Sequence, residues 1–277
     1  MTATNNKKTA VLLACAMLSC ACTTYSTRQT TSQDLDRILA GDQRSEENRA
    51  RDRYRHPKAT LLFFGIRPEM SVMEVWPEPG WYTEVLAPLL ADKGKYYAAV
   101  ITADLNSEYI THRLDQFHNK LTSRAQLYGR VAVVSFPLDG SDAVAPGTLD
   151  MVLTFRNIHN WMARDKAAQA FATMYRALKP GGVLGVVEHR GNPAVPQDMK
   201  AKSGYINEDY AIKLIEAQGF RLVAQSQVNA NPKDTKDYEQ GVWTLPPTYR
   251  LGDRGRDKYA AIGESDRFTL KFVKPGK

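Results

Sequence analysis

The chain has 277 residues, of which 43% are hydrophobic, and its formal net charge is +7 at pH 7. This length and apolar content suffice for one domain of ordinary size, so no second domain is required. The basic excess is mild and is not interleaved with aromatic residues, which argues against a nucleic acid as a partner.

The first 22 residues have the pattern of a secretory signal. Lys7 and Lys8 precede the apolar run Ala10–Leu18, and the small residues 19–22 follow it. The run is about half as long as a helix that spans a bilayer, and no later segment comes near that length. Cleavage would remove both lysines and no acidic residue, so the net charge would fall from +7 to +5. The pattern predicts an exported protein, periplasmic or attached to the envelope, without a membrane span.

All three cysteines of the chain, Cys15, Cys20 and Cys22, lie in this segment. We therefore expect no disulfide framework in the folded part and no cysteine chemistry at its site. The sequence around Cys22 resembles a bacterial lipoprotein signal, in which this residue is lipidated and becomes the mature N-terminus. Lipidation of Cys22 and simple cleavage after Ala21 are two open alternatives, and the lipid is the only membrane contact that we expect.

Residues 23–58 form a predicted helical extension of mixed charge. Acidic side chains are interleaved with basic ones there, as on a solvated amphipathic helix face. Contact with an anionic surface is the alternative interpretation. The basic residues are Arg44, Arg49, Arg51, Arg53, Arg55 and Lys58, and the acids among them are Asp42, Glu46, Glu47 and Asp52.

Residues 59–277 alternate between short apolar runs and helical patterns. A helix is predicted over Asp165–Leu178, where apolar residues recur at i, i+3, i+4 and i+7 before a stop at Pro180. Another is predicted from the cap candidate Asn207 to Gly219. Such strand–helix repeats indicate an α/β fold with a doubly wound, mostly parallel sheet. The first five predicted strands are Val72–Val75, Tyr96–Ile101, Val131–Val134, Met151–Phe155 and Val183–Val187.

The C-terminal part departs from this rhythm. Arg221–Gln227 and Thr269–Val273 have the pattern of two further strands, which predict an antiparallel terminal hairpin and a sheet of seven strands. The polar stretch 229–266 between them shows no clear helix, and a loop of this length is either functional or disordered. Trp243 and Leu245 indicate that it packs against the rest of the domain, so we expect residues 229–266 to form a lid.

These features together resemble the class I S-adenosylmethionine-dependent methyltransferase superfamily. The resemblance rests on an acid at the end of the first strand, the fourth strand "LDMVLTF", the "ALKPGGVLGVVEH" entry to the fifth strand and the terminal hairpin. The stretches "EVWPEPGWYTEVLAP", "TFRNIHNWM", "GYINEDYAIKLIEAQGF", "NPKDTKD" and "IGESDR" are similar to a group of exported bacterial proteins predicted to be methyltransferases. The resemblance implies a Rossmann-like methyltransferase fold, S-adenosylmethionine as the cofactor and a small-molecule substrate.

The turn after the first strand would hold the methionine part of that cofactor. In the superfamily an acid and three alternate glycines form this turn, and superposition gives Glu74 as the acid and leaves one glycine, Gly80. Trp76 and Glu78 replace the other glycines, so we expect a different path and a charge near the cofactor's carboxylate. A tight turn without a ligand is the alternative. The contacts that the resemblance assigns are Glu74, Trp76, Pro77, Gly80 and Tyr82.

The adenosine contacts are less sharply defined. The superfamily places an acid at the end of the second strand, and here Asp104 follows that strand by three residues. Asp104 either reaches the ribose hydroxyls through a longer loop or starts a helix. Asp139 and Asp142 are two candidates for the adenine, and spacing does not separate them. No Gly-x-Gly-x-x-Gly turn follows a strand, which argues against a nicotinamide cofactor.

Polar side chains crowd the ends of the fourth and fifth predicted strands, where an open α/β sheet places its active site. Methyl transfer to a hydroxyl, amine or carbon acid often needs a general base, and His159 and His189 are the candidates, with His159 preferred. Arg156 either orients an anionic substrate or pairs with Glu188.

Other residues of the same strand exits have supporting roles in this hypothesis. Asn157 and Asn160 are expected to hydrogen-bond the acceptor, and Trp161 to cap the pocket. The two histidines and Glu188 also form a set that zinc accepts at open catalytic sites. No pair of them has the close spacing of a His-x-x-x-His site, so we expect no metal.

The sequence thus predicts an exported methyltransferase that acts mainly by positioning its substrates. The alternative is an inactive methyltransferase-fold binding protein of the cell envelope, which has lost its cofactor affinity. The bulky Trp76 and the charged Glu78 in the first turn point to this alternative. Export points the same way, because S-adenosylmethionine is made in the cytoplasm.

Overall fold

The computed structural model of the protein describes residues 28–102 and 106–276. The predicted signal segment and the lipidation candidate Cys22 lie outside the described residues. Among the helices of these two ranges, none is long and apolar enough to cross a membrane.

A single sheet of seven strands organises the described residues, in the spatial order β3-β2-β1-β4-β5-β7-β6. The first five strands are parallel, whereas β7 is antiparallel to both of its neighbours, β5 and β6. This arrangement confirms the predicted doubly wound sheet with an antiparallel addition at one edge. The strands are β1 Ser71–Val75, β2 Lys95–Ile101, β3 Ala132–Phe136, β4 Leu149–Phe155, β5 Leu178–His189, β6 Arg221–Ser226 and β7 Arg267–Val273.

The burial of each strand follows from its place in the sheet. The central strands β1 and β4 are buried along nearly their whole length, because helices cover both faces of the sheet. The outer strands β3 and β6 alternate between exposed and less exposed residues instead. Continuous apolar runs therefore mark the middle of the sheet, and alternating patterns mark its edges.

Helices cover the two faces of the sheet and enclose two hydrophobic cores. Trp161, Phe171 and Ile215 belong to the core on one face, and Phe64 and Leu86 belong to the core on the other. The helices are α1 (residues 28–39), α2 Glu46–Ala50, α3 Asp52–Arg55, α4 Pro57–Phe64, α5 Thr83–Leu90, α6 Glu108–Ser123, α7 Ala125–Tyr128, α8 Ile158–Ala163, α9 Ala167–Ala177, α10 Glu208–Glu216 and α11 Arg256–Ile262.

Both helices predicted in detail are present. Helix α9 lies within the predicted range and buries Phe171 and Met174. Helix α10 begins directly after Asn207, which has an extended backbone as an N-cap residue should. The Asn207 side chain does not cap the helix, because its amide group donates to the carbonyl of Val195 at 2.8 Å.

The segment 229–266 is more regular than the sequence predicts. It contains a 3-10 turn at Gly241–Thr244 and the helix α11, so the expectation of no helix was wrong. Val242 and Leu245 are buried, which shows that the segment packs onto the domain. The helical signal is weak because α11 has only seven residues and buries none of them.

The prediction of a solvated face for the basic cluster of residues 44–58 was wrong for two arginines. Arg44 is 1% exposed and Arg55 is 4% exposed. Arg44 donates to Asp52 at 2.9 Å, and its guanidinium lies 5.0 Å from the centre of the Trp81 ring. Helices α2 and α3 therefore pack against the domain rather than projecting into solvent.

Candidate active site

A cavity of about 600 Å³ opens at the carboxyl ends of the parallel strands, a size typical of small-molecule sites. Strand order reverses between β1 and β4, and open α/β sheets bind ligands at such a switch point. The cavity wall comes from the turn after β1, the exits of β4 and β5, the start of β7, helices α2 and α3, and the segment 241–250.

In the turn after β1, Trp76 keeps the backbone conformation that favours glycine, and the expected different path stays a prediction. Trp76 has a left-handed backbone with φ of 54°, and its N–H donates to the carbonyl of Ala99 at 2.8 Å. Gly80 has φ of 91°, and a Cβ atom there would lie 3.1 Å from the Phe117 side chain of α6. Glycine is thus required for the backbone and for packing against α6. Trp76, Pro77 and Tyr82 line the cavity, but Gly80 does not.

Glu74 lies at the base of this end of the cavity. Its Oε2 accepts a hydrogen bond of 2.7 Å from the Tyr96 hydroxyl, which lies 2.9 Å from the hydroxyl of Thr83. Burial raises the pKa of Glu74 to about 8, and the charge of Glu78 adds to this effect. The carboxyl group is therefore mostly protonated at neutral pH.

Glu78 does not lie where the sequence predicts. One of its oxygens accepts a 3.0 Å hydrogen bond from the N–H of Ile101, at the end of β2. Burial raises its pKa, although that hydrogen bond acts in the opposite direction. The turn after β1 thus delivers a buried carboxyl group to the end of the second strand, where sequence reasoning looked for Asp104.

The two predicted adenine contacts that the structure describes, Asp139 and Asp142, do not line the cavity. Asp104 lies outside the described residues. Asp139 is exposed and accepts hydrogen bonds from the backbone and hydroxyl of Ser141 at 2.9 and 2.6 Å. Asp142 pairs with Arg176 at 2.6 Å. Asp139 and Asp142 therefore stabilise the loop after β3 rather than lining the cavity.

His159 and Glu188 form a hydrogen-bonded pair at the exits of β4 and β5. The His159 Nδ1 atom lies 3.1 Å from Oε1 of Glu188. Glu188 also accepts from the N–H groups of Ile158 at 2.6 Å and His189 at 2.9 Å, so it does not pair with Arg156. Because the carboxylate accepts hydrogen bonds, we assign the His159 proton to Nδ1, which leaves the lone pair on Nε2.

His189 carries the opposite tautomer in the same network. Its Nδ1 lies 2.5 Å from the Ser265 hydroxyl, and that hydroxyl accepts from Nε of Arg267 at 3.3 Å. The hydroxyl therefore donates to Nδ1, and the His189 proton is on Nε2. Burial lowers the pKa of His189 well below its usual range, and the charges of His159 and Arg267 add to this effect. The two rings lie 5.5 Å apart, one with a basic nitrogen and one with a donor.

The same three side chains, His159, Glu188 and His189, have ligand atoms within 4.8 Å of one another, which meets the spacing of a metal site. Both Glu188 oxygens, however, already accept hydrogen bonds from protein donors. We therefore describe the group as a hydrogen-bonded network, and the expectation of no metal stays a prediction.

Asn157 and Asn160 have separate positions. The Asn157 amide donates to the carbonyl of Val75 at 2.9 Å, and so ties the end of β4 to the end of β1. Both residues line the cavity, and no hydrogen bond of the Asn160 side chain to another described residue is found. Asn157 therefore positions the wall, and Asn160 is the more available of the two for a ligand.

Trp161 is not the cap that the sequence predicts. It is fully buried in the core, where its ring lies 5.6 Å from Phe171. Positions 159 and 161 are separated by about 200° around helix α8, so His159 faces the cavity while Trp161 faces the core. Trp243, from the predicted lid, lies instead beside His159, with the ring centres 5.9 Å apart.

Four arginines surround Glu264 on the wall beside the histidines. Glu264 pairs through Nε of Arg51 at 2.6 Å and Nε of Arg55 at 3.1 Å, and also with Arg267. Arg156, the fourth, has a left-handed backbone with φ of 63° at the exit of β4. Only Arg156 among them was predicted to act at the site. The "IGESDR" stretch contains Glu264 and Arg267. Its sequence resemblance alone did not indicate their roles at the cavity.

The "NPKDTKD" stretch holds this wall in place. The Asn231 amide donates to the carbonyl of Glu264 at 2.7 Å. Asp234 accepts from the N–H of Asp266 at 2.8 Å and from the hydroxyl of Tyr205 at 2.9 Å. Two of the stretches that carried the sequence resemblance therefore bond to each other and fix Glu264 at the cavity.

Comparison with known protein families agrees with this geometry. A family model described as "Methyltransferase domain" matches residues 79–186, which is less than half of the chain. A ubiquinone/menaquinone biosynthesis C-methyltransferase from Hydrogenovibrio crunogenus is 26% identical over 167 residues. That match covers 60% of this chain and 57% of the relative's length.

Solved structures share the whole architecture at low identity. A methyltransferase from Aquifex aeolicus that depends on S-adenosylmethionine has a TM-score of 0.55 at 15% identity, over 81% of this chain and 93% of that one. This protein has the class I methyltransferase fold. The 4+2 cyclase SpnF is equally similar, with a TM-score of 0.56 at 15% identity over 91% and 97% of the two chains.

These comparisons show the fold and a partial match to a methyltransferase family model. Because a cyclase shares the fold, the reaction must be argued from the side chains in the cavity rather than from the architecture.

Proposed function

We propose that this protein is an exported methyltransferase that transfers a methyl group from S-adenosylmethionine to a small acceptor, with His159 as the general base. The pairing of His159 with Glu188 supports this proposal more than any other observation. Its Nδ1 faces a buried carboxylate at 3.1 Å, and the residue lines the cavity. A basic Nε2 held in this way is suited to removing a proton from an acceptor.

The described residues at the β1–β2 end of the cavity fit the cofactor. S-adenosylmethionine carries a cationic sulfonium and ammonium group and two ribose hydroxyls, and when bound it supplies the electrophilic methyl group. Glu74 and Glu78 would offer carboxyl oxygens to its ammonium group and its hydroxyls, and Trp76 offers an aromatic wall to the sulfonium. Within the described residues, Glu78 replaces the acid that the superfamily carries after its second strand.

The two histidines have different roles toward the acceptor, proton removal by one and hydrogen-bond donation by the other. His159 takes the acceptor proton on Nε2, and the Glu188 carboxylate stabilises the imidazolium that results. Neutral His189 donates a hydrogen bond from Nε2 to an acceptor oxygen. This pair suits a carbon next to a carbonyl group as well as a hydroxyl. The Hydrogenovibrio relative is a C-methyltransferase, which supports the carbon acceptor.

Export and envelope attachment belong to the same proposal and rest on the N-terminal pattern of residues 1–22. The test is fractionation of cells that express the full chain, with mass spectrometry of its N-terminus. Lipidation predicts membrane association that is lost in Cys22→Ala, whereas simple cleavage predicts a soluble periplasmic protein that starts at Cys22. A chain that stays in the cytoplasm with Met1 intact contradicts export.

Calorimetry and methyl-transfer assays test the enzymatic part. Purified protein should bind S-adenosylhomocysteine and transfer labelled methyl from S-adenosylmethionine into a small-molecule extract of the cell envelope. His159→Asn should keep the binding and lose the transfer. His112→Asn, on exposed helix α6, is the matched control and should change neither. Equal loss of binding and transfer in His159→Asn would instead assign this residue to ligand binding.

A binding protein of the envelope is the second candidate. The left-handed Trp76, in place of a glycine at the first turn, is the observation that favours it. This candidate predicts no detectable heat from S-adenosylmethionine or S-adenosylhomocysteine at millimolar concentration, while another ligand still occupies the cavity.

A further inference from the structure

The wall formed by Arg51, Arg55, Arg156 and Arg267 carries more positive charge than its acids neutralise. Glu264 is the acid at its centre, and it is held by three of the four guanidinium groups. Burial opposes ionisation of Glu264, but the guanidinium groups of Arg55, Arg267 and Arg51 lower its pKa well below the usual range. Glu264 is therefore fully charged and supplies one negative charge against four positive ones.

The other acids near this wall do not complete the balance. Glu188 adds a second negative charge, which acts on Arg156, and its oxygens also accept hydrogen bonds from His159 and from the N–H groups of Ile158 and His189, but two acids still face four guanidinium groups. Glu74 has a pKa of about 8 and so keeps its proton at neutral pH. The arginine wall consequently has a surplus of positive charge in a partly buried place, which is costly unless an anion neutralises it.

Arg156 shows the surplus most directly. Within the described residues its guanidinium has no hydrogen-bond or ion-pair partner. Burial and then the charges of Arg267 and Arg51 lower its pKa to about 10. Its left-handed backbone is one that arginine adopts at a cost, and such outliers cluster at ligand sites. Arg156 therefore presents five unused N–H donors to the cavity.

Arg55 supplies an independent second observation. It is buried, and its Nε is used by Glu264, but its Nη2 atom has no partner within the described residues. Buried polar atoms of native proteins are rarely left in this state unless a ligand or water completes them. Arg55 is itself fixed in place, because its guanidinium lies 4.8 Å from the centre of the Trp81 ring.

The arginine wall adjoins the proposed base rather than lying apart from it. Arg267 donates to the Ser265 hydroxyl, which donates to His189, and the His189 and His159 rings are 5.5 Å apart. A molecule held by the arginines through one end would therefore place its other end beside the two histidines.

We propose that the acceptor of this enzyme is an anion, and that Arg156 and Arg55, supported by Arg51 and Arg267, bind its carboxylate, phosphate or sulfate group. The identification of this anion as the methyl acceptor rests on the proposed methyl transfer. The prediction that the arginines bind an anion does not. Planar guanidinium groups match such oxyanions with paired hydrogen bonds.

The carboxylate of the cofactor is the rival occupant of this wall, since Arg55 and Arg156 also act on the charge of Glu74. The two occupants differ in one measurable way. An anion that takes the acceptor's place binds together with S-adenosylhomocysteine, whereas an anion that takes the place of the cofactor's carboxylate competes with it.

The test is calorimetric titration of the purified full-length protein with sulfate and with malonate, alone and with saturating S-adenosylhomocysteine. We expect saturable binding of at least one anion that S-adenosylhomocysteine does not weaken. Preference for sulfate would indicate a phosphate or sulfate ester as the acceptor, and preference for malonate a carboxylic acid. Competition with S-adenosylhomocysteine, or no saturable binding, overturns the proposal. Binding of the anion without any binding of the cofactor would instead count against the methyltransferase function alone.

The variant Arg156→Gln separates a binding role from a structural one. We expect at least tenfold weaker anion binding, and an apo protein that is no less stable, because an uncompensated charge is removed. Sulfate should raise the Tm of the wild type but no longer that of the variant. The control Arg256→Gln removes the same charge from an exposed position outside the cavity lining, where Arg256 lies on the Tyr249 ring. Equal weakening by both variants would overturn the proposal in favour of diffuse attraction to a basic surface.

Discussion

The two ends of the cavity are built from opposite kinds of side chain, carboxyl groups at one end and guanidinium groups at the other. At the β1–β2 end, Glu74 and Glu78 accept hydrogen bonds from neutral donors, the Tyr96 hydroxyl and the Ile101 N–H. At the β4–β7 end, three arginines pair with Glu264, and the charge of Arg156 also acts on it. An anionic acceptor would meet the opposite charge at the basic end, whereas burial raises the pKa of both carboxyl groups at the acidic end, which would offer a cofactor hydrogen bonds. The net charge of the chain does not reveal this separation, because it sums the charged residues of both ends.

The ends also differ in how the chain assembles them. The acidic end comes from one local unit, the strand β1 with its turn and the neighbouring β2. The basic end joins segments that are distant in sequence, since Arg51 and Glu264 are separated by 213 residues. A cofactor site can therefore be recognised from a short stretch, while an acceptor site of this kind cannot.

The largest expected effect comes from breaking the basic end. Glu264→Gln leaves buried guanidinium groups without their shared counter-charge, and removing one partner of a buried pair costs about 3–5 kcal/mol. We expect a loss of this order in the free energy of unfolding, measured by urea denaturation. Sulfate should restore part of it, because the anion replaces the missing charge.

The exposed pair Glu239–Arg254, at 2.8 Å, provides the control for Glu264. Glu239→Gln removes an equal charge where water screens it, so its unfolding curve should overlay that of the wild type. A Glu264 variant as stable as this control would show that the arginines are not held by that carboxylate.

The next effect concerns the acidic end and depends on pH. The folded pKa of Glu74 is about 8, well above its ordinary value of 4.5, so the folded state keeps a proton that the unfolded state loses. Stability should therefore fall as pH rises between these two values, by about 1.4 kcal/mol per pH unit until the folded pKa is approached.

Glu74→Gln should remove this dependence. Urea unfolding at pH 6, 7 and 8 should show that the variant gains about 2 kcal/mol relative to the wild type over this interval. The difference between the two proteins isolates Glu74, because His189 and the other titrating groups contribute to both curves. Parallel curves would mean that the Glu74 carboxyl group ionises normally, and the acidic end would then be charged at neutral pH.

The fold follows from the sequence more readily than the site does. Strands β1 and β4 are mostly apolar because both of their faces are buried, and this pattern can be recognised in the sequence. His159 and His189 were placed at the cavity because strand ends fix their position. Trp161 was misplaced because the strand exit becomes helix α8 at once, and two positions along a helix face opposite directions.

The site features that the sequence did not predict depend on side-chain direction within turns and on contacts between distant segments. Glu78 was expected near the cofactor's carboxylate, but the path of the turn, with φ of 54° at Trp76, carries it to the end of β2. Arg55 was expected in solvent because its helix has mixed charges. Its burial depends on Glu264 and Trp81, which no local pattern connects to it.

The smallest expected effect tests the role of the acidic end in cofactor binding without changing the fold. Glu78→Gln keeps an oxygen that can accept from the Ile101 N–H, so folding should be unchanged, but the charge offered to the ribose hydroxyls is lost. Charge-assisted hydrogen bonds are about twice as strong as neutral ones, so calorimetry should show S-adenosylhomocysteine binding about tenfold more weakly. Asp139→Asn is the matched control, because Asp139 is exposed and its carboxylate accepts hydrogen bonds from Ser141. Weakening by Asp139→Asn with none by Glu78→Gln would move the adenosine to the loop after β3, and the two ends of the cavity would no longer correspond to cofactor and acceptor.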